Sequence, residues 1–236
     1  MSALLLALAM AAAPAPDARF RQANELLRSA DYPKAIAAYE ELAGAGAESA
    51  SLYWNWAQAA AARGAQGEAL WALLRARELE PGDRAVSRQI EEIREALHLD
   101  AAELAPEPLA ALRRVGRRWR LDLLAAALLA LSCASHALVR LRPASRWAVQ
   151  AAGLTLVLGI VAGLLPAAAS LARPTGVVVR AGAPLLDSAS AAAEAIGSLR
   201  EGEVVPLLKQ SGGYVQVEDS SGARGWTAAG DVRPVE

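Results

Sequence analysis

The sequence predicts a multi-domain α + β chain: an α-solenoid of helix pairs, a two-helix transmembrane hairpin and a small C-terminal β-barrel. Three observations predict it. Two stretches superimpose at a spacing of 34 residues, two long apolar runs follow them, and short strand-and-turn patterns fill the remainder. At 236 residues the chain has room for two modest cores. Its net charge of −1 offers no basic field, which argues against a nucleic-acid partner. Hydrophobic residues make up 54%, above the roughly 45–50% of soluble domains, and the excess lies near the start and between residues 121 and 172. A single cysteine, Cys133, provides neither a disulfide framework nor a thiolate metal cluster.

The solenoid rests on the period. Pro16–Ser49 lies in register with Ala50–Asp83, so that Ala23 matches Ala57, Ala30 matches Gly64, Ala35 matches Ala69 and Ile36 matches Leu70. The second copy closes with Pro81. A helix–turn–helix unit of this length, with small residues at these places, resembles the tetratricopeptide repeat family. Arg84–Leu97 reads as an amphipathic capping helix, with Val86, Ile90, Ile93 and Leu97 on one side, so the repeat domain covers 16–98. The resemblance implies that the first helix of each pair lines a concave face. That makes Phe20, Asn24, Arg28, Trp54, Asn55 and Gln58 the candidate partner-binding residues, able to hold a peptide by apolar anchoring and hydrogen bonds. Trp56 and Trp71 are expected to fill helix interfaces. Residues 99–120, interrupted by Pro106 and Pro108 and ending in Arg113, Arg114, Arg117, Arg118 and Arg120, read as a linker with a basic juxtamembrane segment.

Membrane segments come next. Residues 3–13, within a leader at 1–13, read as the apolar core of a secretory signal peptide with an Ala9-Met10-Ala11 cleavage pattern, too short to span a bilayer. Leu121–Val139 and Trp147–Ala172 are apolar runs that predict two spanning helices over 121–172. The short linker Arg140–Arg146 allows only a tight hairpin, which puts the flanking domains on one side. Thr155, Gly159 and Gly163 face, on this reading, the equally spaced Ala126, Ala130 and Ala134. The loop arginines Arg140, Arg142 and Arg146 favour export of both domains, and the five arginines before the first run favour the reverse. The leader decides for export.

From Thr175 on, Val177–Arg180, Glu203–Lys209, Tyr214–Val217 and Gly225–Ala228 read as strands between turn-forming stretches. Strands this short favour a closed barrel. The stretch 176–236 resembles a bacterial SH3 domain through Ile196-Gly197, Leu199 with Glu201-Gly202, Val204-Val205, Gly213–Val217 and Gly222–Trp226. It departs from that family at Leu185–Ser190, where an Arg and a Gly-Pro pair are usual. The resemblance implies a ligand face with Tyr214 and Trp226, for which core packing is the alternative.

The order of these parts resembles the BatE proteins of bacterial aerotolerance operons. This implies an inner-membrane accessory protein, with both soluble domains periplasmic, encoded beside membrane-anchored von Willebrand A-domain proteins and a MoxR-type ATPase. The expected function is a non-catalytic scaffold or adaptor in an envelope stress complex, its partners being proteins or peptides in the repeat groove and the lipid bilayer. The alternative is an envelope sensor whose SH3-like part binds peptidoglycan or peptides. No catalytic residue, cofactor or metal is expected. Outside the apolar runs the sole histidine is His98, and Glu91-Glu92 belongs to a solvated helix face. Cys133 and His136 share a face of the first run, but two ligands do not make a metal site.

Overall fold

The structure, a computed structural model, describes residues 16–100, 121–141, 146–169 and 174–235. The signal-like leader, the linker from 101 onward with its five arginines, and the centre of the hairpin loop lie outside the described residues. Five helices come first: α1 (Pro16–Arg28), α2 (Tyr32–Gly44), α3 (Ala50–Ala62), α4 (Gln66–Leu79) and α5 (Arg84–Ala96). The helices α1, α3 and α5 are each 13 residues long and start at residues 16, 50 and 84. The helix read as a cap is therefore in phase as the first helix of a third unit.

The local chemistry recurs with the same period. Ser49 Oγ accepts the Leu52 N–H at 3.1 Å, and Asp83 Oδ1 accepts those of Ala85 and Val86 at 2.7 and 3.4 Å. These are N-caps, satisfying amides that the helix itself leaves unpaired. Beyond the other end of each helix, Ala30, Gly64 and His98 take φ of 59°, 82° and 53°. The following amides of Asp31, Ala65 and Leu99 then return to the carbonyls of Leu26, Ala60 and Arg94, each at 3.0 Å. Small residues at matched places (Ala23 and Ala57, Ala35 and Ala69) are buried and let the helices approach. Leu42, Leu52, Tyr53, Trp56, Leu70 and Leu73 fill the space between them.

The strands are β1 (Thr175–Val178), β2 (Ala183–Leu186), β3 (Ala195–Leu199), β4 (Val204–Ser211), β5 (Tyr214–Glu218), β6 (Arg224–Ala228) and β7 (Val232–Pro234). They form one antiparallel sheet in the order β3-β2-β6-β5-β4-β1-β7. Gly212 and Gly213, at φ 54° and 84°, make the two-residue turn between β4 and β5, where Ser211 pairs with Tyr214. The sheet is open, with β3 and β7 as its edges, which corrects the expectation of a closed SH3-like barrel. The physical reason is at β7. The Trp71 indole N–H donates to the Pro234 carbonyl at 2.8 Å and Arg75 Nη1 to that of Val235 at 2.7 Å, so a helix covers the edge that closure would have to pair.

Helices and sheet belong to one compact unit. Strand β1 stands between two cores, because successive side chains of a strand face opposite ways. Val177 joins the helical core, and Val178 joins Ala183, Leu185, Leu199, Val205 and Val217 inside the sheet. Close approach is possible because Gly67 of α4 has no side chain, and its N–H donates to Glu201 Oε1 at 2.7 Å.

The second unit holds α6 (Leu121–Leu141) and α7 (Arg146–Ala169). They pack as a pair, but the partners differ from those expected. Gly159 lies against Leu129 and Gly163 against Ala125, whereas Ala126, Ala130 and Ala134 are exposed. Ala125, Leu129 and Ser132 follow an i, i+4, i+7 spacing and so share one face of α6.

Among the described residues no helix is long and apolar enough to cross a membrane. This corrects the transmembrane hairpin, and with it the membrane and periplasmic placement drawn from it. The reason is length. The stretch of α6 between the charges of Asp122 and Arg140 is about 26 Å of helix, and that of α7 between Gln150 and Pro166 is about 22 Å. A hydrocarbon core needs roughly 30 Å.

Candidate functional site

The residues expected to bind a partner sit on α1 and α3, beside α5. A groove of about 380 Å³ is lined by Phe20, Trp54, Asn55 and Val86, together with the carboxylates of Glu80 and Asp83. Phe20 is half-buried and tilts against Tyr39, with ring centroids 6.3 Å apart. Arg28, two turns further along α1, is exposed and does not line the groove.

An amide ladder ties the three helices together. Asn24 Oδ1 accepts the Tyr39 hydroxyl at 2.8 Å and Asn55 Nδ2 at 2.9 Å. One period later, Gln58 Nε2 donates to Gln89 Oε1 at 3.4 Å. The second pair is the first shifted by 34 residues at both positions, so the repeat carries a polar seam as well as a core. The Asn24 carbonyl has two donors and its N–H₂ remains a donor. The second pair leaves the Gln58 carbonyl as an acceptor. The seam can thus give and take main-chain hydrogen bonds from an extended segment, while Phe20 and Trp54 offer apolar contact.

Tyr39 is fully buried beneath this seam. Burial pushes its hydroxyl up to about 12 from the ordinary 10.0, against the lowering effect of the Arg28 charge. A raised value favours the protonated form that donates to Asn24. Its contribution to stability is complete below pH 10 and is lost as pH rises towards 12. Ultraviolet difference titration of tyrosinate should therefore show one tyrosine ionising about two units late, and Tyr39→Phe should remove it. Ionisation of that tyrosine near pH 10 would contradict the burial argument.

Tyr214 and Trp226 stand on one face of the sheet, because Tyr214 pairs with Ala228 and Gln216 with Trp226 across β5 and β6. Both are half-buried and neither enters the core, whose inward residues on these strands are Val215, Val217 and Thr227. Cys133 is exposed, and His136 Nδ1 lies 2.9 Å from the Ser132 carbonyl. Among the described residues no three metal-ligating side chains converge.

Sequence reasoning missed a second cluster, on α2, α3 and α4. Trp56 and Trp71 meet edge to face, with centroids 4.9 Å apart, and Arg233 of β7 lies over both rings at 5.2 and 4.9 Å. The same guanidinium pairs with Glu40 at 3.0 Å and approaches Glu68 at 3.7 Å. Trp56 Nε1 in turn donates to Glu68 Oε1 at 3.0 Å. Partners more than 160 residues apart leave no local signal in the sequence.

Comparison of the chain with protein-family models, curated proteins and solved structures finds no match.

Proposed function

We propose that the chain is a non-catalytic adaptor that holds an extended segment of a partner protein across α1, α3 and α5. The observation that carries this reading is the amide ladder beside Phe20 and Trp54, repeated in register along three helices. Main-chain recognition supplies affinity for an extended peptide, and the aromatic positions supply selectivity. The resemblance to BatE proteins suggests a von Willebrand A-domain protein or a MoxR-type ATPase as the partner.

A displayed library of linear peptides, panned against the full chain, tests the reading. Selected peptides should lose at least tenfold in affinity with Trp54→Ala and with Asn24→Ala, about 1.4 kcal/mol or more each, while far-UV circular dichroism stays native. If no peptide is selected, or selected peptides ignore both substitutions, the groove is not a partner site.

A further inference from the structure

We infer that the face formed by α2, α3 and α4 is a second recognition site, selective for an extended arginine–proline–aliphatic segment, and that Arg233-Pro234-Val235 occupies it in cis. It shares α3 with the groove but none of the groove's lining residues, and it goes beyond the adaptor reading.

The contacts read three consecutive residues. The arginine enters a slot made by two indole faces and two carboxylates, Glu40 and Glu68. Glu68 is buried and held in place by Trp56 Nε1, so the slot is organised independently of its occupant. A planar guanidinium can stack on the rings and bond the carboxylates at once, whereas an ammonium can only act as a point charge. The proline has no N–H to satisfy, its ring favours an extended path, and its carbonyl takes the Trp71 N–H. The aliphatic residue is buried against the helical core, 7% exposed, and its carbonyl takes Arg75 Nη1. Arg75 is itself positioned by Glu48 at 2.7 Å.

Two features make this occupant exchangeable. Arg233 keeps 28% of its side-chain surface and Pro234 is exposed, so the slot opens to solvent. Moreover, more than seventy residues separate α5 from β1, so no short loop forces the sheet onto the helices. The interface itself holds it there, at the effective concentration that tethering gives. A partner segment of the same chemistry competes with that tether.

The probe is a capped peptide with the sequence of residues 231–235, titrated calorimetrically into the full chain while the Trp71 indole N–H resonance is followed. The Arg233→Ala chain should bind it at least tenfold more tightly than the unsubstituted chain and shift that resonance. Replacing the peptide's arginine by lysine should weaken binding at least tenfold. Failure of the Arg233→Ala chain to bind, equal binding by the unsubstituted chain, or indifference to the peptide's arginine would each overturn the proposal. Should Arg233→Ala lose its native circular dichroism, Arg233→Lys takes its place in the same titrations.

Discussion

Trp56→Ala is expected to lower the unfolding free energy by about 3–5 kcal/mol, the range for removing a buried aromatic side chain. Trp56 is 1% exposed and meets residues of α3, α4 and β7. It stacks on Tyr53 at 6.0 Å, meets Trp71 edge to face, carries Arg233 on its ring and donates to Glu68. Removing it opens a cavity and leaves a buried carboxylate without its indole donor, and the two costs act together. Stability of a domain is about 5–15 kcal/mol, so the variant should melt far earlier and bring the sheet's transition with it. Trp56→Phe keeps most of the volume but not the N–H, and should fall between the two. Urea unfolding followed by far-UV circular dichroism decides. A loss under about 1 kcal/mol would mean that this cluster does not hold helices and sheet together.

Gly67→Ala runs against expectation for a helix. At an ordinary interior position, alanine stabilises by up to about 1 kcal/mol over glycine. Here a Cβ would stand 2.6 Å from the Val178 carbonyl oxygen, 2.8 Å from Glu201 Cγ and 3.0 Å from Val179 Cα. Two of those three atoms are backbone and cannot swing aside, so α4 and β1 must separate. The substitution should destabilise by about 1–3 kcal/mol, as overpacking does. It should also lengthen the Gly67 N–H to Glu201 bond and speed exchange of that amide. Gly82→Ala is the control, since nothing lies within 4 Å of its Cβ. A Gly67→Ala chain more stable than its parent would show that the sheet does not sit on α4 at this distance.

Much of the helical part was legible because it is local. The period places α1, α3 and α5, and caps such as Ser49 and Asp83 are signals of sequence neighbours. The same period, applied once more, points to α5 as a third first-helix and to the pairing of Gln58 with Gln89. Of the six residues read from their helix positions as facing a groove, Phe20, Trp54 and Asn55 line it, whereas Asn24, Gln58 and Arg28 do not.

Two expectations failed for identifiable reasons. Mean apolarity over α6 and α7 suggested a membrane, yet Asp122 and Arg140 bound the run of α6 and Gln150 and Pro166 that of α7, and Gly159 and Gly163 pack against Leu129 and Ala125 within the pair. The strands β2, β3 and β7 were missed because Pro184, the exposed Ala195–Ser198 and a three-residue strand carry almost no alternation.

By itself, then, the sequence determined what depends on neighbours a few residues apart: the repeating helices, their caps and turns, and the β4–β5 hairpin. The tertiary structure alone decided that the sheet stays open, that Gly67 admits β1, and that Arg233 lies between Trp56 and Trp71. Those outcomes turn on contacts across more than a hundred residues. Their free energy comes from burial and from paired polar groups that no window of sequence contains.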